Sequence, residues 1–277
     1  MSLTLKRRIH RTARSLALAR VPCRFRGPTK RTQQRKCCGL VEIFDCLKLG
    51  YEVWHTKCLT CEPKSGDIKE PIMQGEPYFR YYRDARGFDA TVKGSWQRNY
   101  AEMIDRVFKI ADKKVLDMGS ACGAQASAML DRGADVIAIE RDAYFVEISP
   151  FENLRERLIC ADARNIPLAA GLFDFVHCSQ VLEHIPPKDT PMALAELRRV
   201  AKPGAVLYAA LPLGLAANQD PNDDVTHVNI QPMATWAEWL AAAGWQLTTD
   251  FDTAIAAEPM QQRYNWDYFV CYAGESE

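Results

Sequence analysis

The first 36 residues of this 277-residue chain contain no aspartate and no glutamate. Twelve lysines and arginines crowd the same stretch, so a formal net charge of zero conceals 23 basic against 35 acidic residues over the remainder. No apolar run approaches the length that crosses a bilayer, so a membrane-spanning helix is not expected. No secretory leader is legible either. The ten cysteines are therefore expected as thiols or metal ligands in a reducing, cytoplasmic setting rather than as disulfides. The glycines lack the G-x-G-x-x-G order of a dinucleotide site, in which a pyrophosphate rests on bare amides at a helix start. With 48% hydrophobic residues, the chain can bury one good core and carry a small appendage.

The basic leader, residues 1–36, interleaves Leu3, Leu5, Ile9, Leu16 and Leu18 with Arg7, Arg8, Arg11 and Arg14, and Pro22 ends any helix. Such a segment fits a solvated flexible tail or an amphipathic contact with an anionic membrane. An organellar targeting peptide comes after these, and a nucleic-acid contact last. Residues 37–92 form a second segment, holding Cys37, Cys38, Cys46, Cys58 and Cys61 with His55 nearby. Cys58 and Cys61 have the spacing with which two thiolates hold one tetrahedral zinc, and Cys38 and Cys46 are candidates to complete the site. The alternative is that these cysteines are packed or free thiols. Pro63, Gly66, Pro71, Gly75 and Pro77 suggest a linker or irregular cap. Aromatic residues follow at Tyr78, Phe79, Tyr81, Tyr82 and Phe88. Residues 96–110 have helical periodicity, with Tyr100, Ile104, Val107 and Phe108 available for one face.

The ordered signals lie in a third segment, residues 93–277. Val115 and Leu116 lead into Asp117-Met118-Gly119-Ser120-Ala121-Cys122-Gly123, a buried strand running into a glycine turn. Ala124 to Leu130 has helical composition and Gly133 supplies a stop. Residues 136–139 read as a second buried strand, and Glu140 falls 21 residues after Gly119, at the offset where a doubly wound nucleotide fold grips ribose hydroxyls. Asp117 would repel a phosphate and suits a ligand with an ammonium or sulfonium charge. Further strands are expected at 157–160, before Ala161-Asp162-Ala163, at 173–179 and at 205–208. A helix near 192–200 precedes a Lys202-Pro203-Gly204 turn. A helix near 235–243 and strands over 245–251 and 264–272 close the chain.

The phrases D-M-G-S-A-C-G, P-L with F-D-F-V, V-L-E-H-I and L-R-R-V-A-K-P-G occur here in an order that resembles the class I S-adenosylmethionine-dependent methyltransferases. The resemblance spans about residues 93–272. It implies a doubly wound, Rossmann-like α/β fold with a seven-stranded, mostly parallel sheet behind an N-terminal cysteine-containing extension, and an antiparallel final strand. It implies S-adenosylmethionine as cofactor, with Asp117, Gly119, Ser120 and Gly123 at the methionine end. Glu140 would serve the ribose and Asp162 the adenine, with Arg141, Ala163 and Ser179 completing the set.

Methyl transfer depends on positioning and exclusion of water rather than on a covalent intermediate. A hydroxyl acceptor also gains from a base. His184 follows strand four at the carboxyl edge of the sheet and is the leading base. Glu183 beside it and His227, in the polar loop 222–229, are the other catalytic candidates. Ubiquinone-type O-methyltransferases and small-RNA 2′-O-methyltransferases with an E-x-x-E-H motif use such residues around a divalent metal, but here Gln180 replaces the first acid. The expected reaction moves a methyl group to a hydroxyl of a small molecule or glycan. The alternatives are a nucleic-acid acceptor reached through the basic leader, and a non-catalytic binding module on the same fold.

Overall fold

The computed structural model describes residues 73–214 and 224–274. The basic leader and the cysteines considered for zinc (Cys38, Cys46, Cys58 and Cys61) lie outside the described residues. The four cysteines among the described residues are free thiols, three of them buried. Among the described residues no helix is long and apolar enough to cross a membrane.

Seven strands form one sheet in the order β3-β2-β1-β4-β5-β7-β6. They are Lys114–Met118 (β1), Asp135–Glu140 (β2), Leu158–Cys160 (β3), Phe173–Ser179 (β4), Ala201–Ala210 (β5), Trp245–Leu247 (β6) and Tyr268–Ala273 (β7). β7 runs antiparallel to β5 and β6, and all other neighbours are parallel. Both the strand count and the antiparallel end match the expectation from the sequence. The inner strands are near-continuous apolar runs because helices cover both faces of the sheet.

On one face, Leu116, Val176 and Leu207 pack with Leu194 and Leu197 of helix α5 (Thr190–Val200) and Trp236 of α6 (Met233–Ala242). On the other face, Val115, Val136 and Phe175 pack with Ile104 and Phe108 of α2 (Ser95–Phe108) and Met129 of α3 (Ala124–Leu130). Burying each such large apolar side chain contributes roughly 1.5–3 kcal/mol. Strand order reverses between β1 and β4, and ligands of open α/β sheets bind where the carboxyl ends diverge in this way.

Three local expectations are corrected. Residues 75–85 are helical, not irregular: α1 (Gly75–Arg80) continues into a π-helical turn at Tyr81–Ala85. Gly75 and Pro77 mark the start of that helix, where a missing N–H is tolerated. The Gly75 N–H donates to Asp142 Oδ2 at 2.5 Å, and Phe79 packs edge-on to Phe145 of α4 (Ala143–Glu147) with 5.8 Å between ring centroids. Lys202-Pro203-Gly204 is drawn into β5, at the cost of a register shift between Phe173 and Phe175. Tyr264 ends a helix rather than opening a strand, because α7 (Asp252–Ala257) and α8 (Pro259–Tyr264) precede β7. Pro259 starts α8 and Asn265, in the left-handed region, stops it.

Candidate active site

After β1 the backbone turns through Gly119 (φ 74°) and Ala121 (φ 48°), and Gly123 (φ 89°) opens α3. A Cβ on Gly119 would collide with Val181 Cγ2, so both conformation and space demand glycine. Gly119 and Ser120 donate their N–H groups to the Ile139 carbonyl at 2.8 and 3.0 Å, which ties the turn to β2. Glu140 closes the other side. Its Oε2 accepts from Ala121 N and its Oε1 from Asp142 N, each at 2.9 Å. Burial pushes the Glu140 carboxyl pKa up against the pull of these amides.

The turn forms one wall of a cavity of about 720 Å³ over the carboxyl ends of the parallel strands. At one end it is lined by Asp117, Gly119, Ser120 and Ser179, then by Glu140, Arg141, Asp162 and Ala163; His184 and His227 line it as well. Gly123 and Glu183 are not among the lining residues. Gly123 instead seats the start of α3 against Leu154, where a Cβ would collide. Partial burial works to raise the Asp162 pKa, but bonds from Arg164 overcome it and hold the carboxyl below its ordinary range.

Glu183 and His184 lie on a short 3-10 turn, Leu182–His184, that is stitched to the loop carrying His227. Val228 N and Asn229 N both donate to the Glu183 carbonyl, at 2.9 and 3.0 Å. His184 Nδ1 lies 3.1 Å from the Thr226 carbonyl. A carbonyl only accepts, so Nδ1 carries the proton and Nε2 keeps its lone pair. Burial, with the neighbouring His227 ring at 4.9 Å, lowers the His184 pKa to about 4. Ligand atoms of Glu183, His184 and His227 all lie within 4.8 Å of one another. Two imidazoles and one carboxylate suit a borderline transition metal better than a hard cation, which favours oxygen donors.

An aromatic wall faces these groups: Tyr78, Tyr82, Phe88 and Trp96 line the cavity. Tyr81 OH donates to Asp224 Oδ1 at 3.3 Å. Burial pushes the Tyr82 phenol up to about 12, so it does not serve as a base, and its oxygen accepts from the Tyr78 hydroxyl at 3.4 Å.

Among the lining residues that sequence reasoning missed are His177 on β4, Arg164 and Gln125. His177 Nδ1 lies 2.6 Å from Asp117 Oδ1. Both polar atoms of the Gln125 carboxamide are buried and have no hydrogen-bond partner among the described residues.

The donor set fits a cationic nucleoside better than a pyrophosphate. Asp117 and Glu140 flank the glycine turn, where a phosphate would meet two carboxylates. Residues 116–209 match the family model described as a methyltransferase domain. Over that third of its length the chain carries a methyltransferase domain. The chain is 30% identical over 105 residues to the ubiquinone biosynthesis O-methyltransferase of Acinetobacter baylyi, a match covering 36% of this chain and 43% of that protein. The chain thus spans less than half the length of that relative. It is 25% identical over 183 residues to the demethylmenaquinone methyltransferase of Renibacterium salmoninarum, covering 57% of this chain and 76% of that protein. Its fold is that of the 4+2 cyclase SpnF, with a TM-score of 0.52 at 18% identity over 74% of this chain and 99% of that one.

Proposed function

We propose that this methyltransferase moves a methyl group from S-adenosylmethionine to a hydroxyl group of a small molecule. The observation that carries the reading is the placement of His184. Its unprotonated Nε2 belongs to the same cavity as the acid-flanked glycine turn, beside an aromatic wall suited to a planar acceptor. Two relatives, a ubiquinone biosynthesis O-methyltransferase and a demethylmenaquinone methyltransferase, support a small-molecule acceptor and, for the first, oxygen as the acceptor atom.

Bound S-adenosylmethionine supplies an electrophilic methyl group on a sulfonium. The chain supplies the rest. Asp117 meets the donor's methionine end, Glu140 its ribose and Asp162 its adenine. The residues packed around Tyr78 and Tyr82 exclude water, which matters because in-line displacement gains most from a fixed approach. His184 Nε2 accepts the acceptor's proton as the oxygen attacks. A divalent ion held by Glu183, His184 and His227 would take the His184 Nε2 lone pair and would supply charge that lowers the hydroxyl pKa in place of proton transfer to His184.

The test is methyl transfer from labelled S-adenosylmethionine to a panel of phenols, catechols and glycans, alongside calorimetry with S-adenosylhomocysteine. His184→Gln is expected to lower kcat by about a hundredfold while leaving S-adenosylhomocysteine affinity within twofold. Full activity in that variant, or no binding of either nucleoside by the parent, overturns the reading.

A further inference from the structure

The centre of a buried parallel strand is ordinarily apolar, and a polar group there is costly unless it is bonded. His177 occupies such a place. It stands on β4 directly opposite Asp117 on β1 in the parallel register, and it is 3% exposed. Its Nδ1 lies 2.6 Å from Asp117 Oδ1 and its Nε2 lies 3.3 Å from the Tyr100 hydroxyl. A carboxylate only accepts, which places the proton on Nδ1 and leaves Nε2 as acceptor. The Tyr100 hydroxyl lies within hydrogen-bond distance of both His177 Nε2 and Ser179 Oγ, at 3.3 Å in each case.

The imidazole is held in place as well as bonded. It stacks on Tyr208 with 6.2 Å between centroids and 14° between planes, and meets Tyr100 edge-on at 5.6 Å. On its other oxygen, Asp117 accepts the Ser120 hydroxyl at 2.7 Å. The Asp117 carboxylate is therefore fixed from both sides at the floor of the cavity.

We propose that His177 is a positioning residue for the methyl donor: it holds Asp117 in the orientation that meets the α-ammonium of the donor's methionine end, and Tyr100 holds His177. This role rests on the donor-site reading above. It differs from a packing role in one respect. Loss of His177 should weaken ligands that carry the amino-acid tail and spare those that lack it.

The experiment is calorimetry on the full chain with two ligands, S-adenosylhomocysteine and 5′-methylthioadenosine, the second lacking the amino-acid tail. His177→Leu is expected to weaken S-adenosylhomocysteine by about tenfold, the loss of one charge-assisted bond, with methylthioadenosine unchanged within twofold. His177→Asn places a carboxamide N–H near the position of Nδ1 and is expected to recover most of that loss. If His177→Leu does not fold, His177→Asn and Tyr100→Phe carry the test. Tyr100→Phe should then weaken S-adenosylhomocysteine alone, by about threefold, with His177→Asn near the parent. Equal losses for both ligands, or no loss for either, overturn the role of His177. A parent protein that binds neither ligand overturns the donor-site reading itself, which is a separate result.

Discussion

Arg164 grips Asp162 through three bonds. Its backbone N and its Nε donate to Oδ1 at 2.8 and 2.9 Å, and its Nη2 donates to Oδ2 at 2.8 Å. The remaining arm, Nη1, reaches Asp189 at 2.8 Å. A planar fork used in this way sets the plane of the carboxylate, which a point charge cannot do. Arg164→Ala is therefore expected to weaken S-adenosylhomocysteine by about tenfold, ~1.4 kcal/mol. Arg164→Lys should restore the charge but only a minor part of the affinity. Calorimetry decides, and parent-like binding by Arg164→Ala would remove Asp162 from the adenine site.

Glu140 joins the ligand site to the fold. Its two oxygens accept the Ala121 and Asp142 amides, so it fixes the glycine turn while lining the cavity. Glu140→Ala leaves both amides without these acceptors, a cost of about 1–3 kcal/mol each if they stay buried. The expected outcome is a lowered thermal midpoint together with at least tenfold weaker S-adenosylhomocysteine binding. Glu140→Gln, keeping one acceptor oxygen, should fall between. A variant that melts early but binds as tightly as the parent would show that Glu140 serves the turn alone.

Gly119 and Gly171 separate backbone strain from crowding. Both have positive φ, 74° and 66°. A Cβ at Gly171 meets nothing within 4 Å, whereas at Gly119 it collides with Val181. Gly171→Ala is expected to cost the conformational term only, about 1–2 kcal/mol. Gly119→Ala adds overpacking, for a total near 3 kcal/mol, and should abolish nucleoside binding. Urea denaturation of the two variants gives the comparison directly, and equal costs would mean that Val181 moves aside.

The framework from Val115 to Glu140 was legible because buried parallel strands read as apolar runs and a glycine turn between them has few alternatives. Helix α3 falls on the residues its composition indicated, Ala124–Leu130. The helix over residues 75–85 was hidden because the glycine and proline that start it look, in a linear reading, like residues that break structure. His177 was hidden for a different reason. Its partner Asp117 lies 60 residues away, and only the register of β1 against β4 brings them together. Arg164 shows the same limit at short range: two residues from Asp162, its spacing alone does not say that the side chain folds back. The catalytic candidates Glu183, His184 and His227 do meet, yet Glu183 turns its backbone to the loop and leaves the cavity wall to the two histidines.

His184 gives the protein a pH signature. Burial first, and then the adjacent His227, lower its pKa from 6.5 to about 4. Between these two values the unfolded chain holds a proton on this residue that the folded chain refuses. The stability that His184 contributes is therefore complete above about pH 6.5 and is lost as pH falls through that window toward 4. Denaturation curves between pH 4.5 and 7 should show the parent losing stability toward acid, with His184→Gln flattening part of the slope. The same shift governs catalysis. A base that stays unprotonated down to about pH 4 places the acid limb of the kcat/KM profile below about pH 5, well under the range of an ordinary histidine. An acid limb with its midpoint near 6.5 would show that the proton is taken by a group in a more solvated setting, and His184 would lose its role as base.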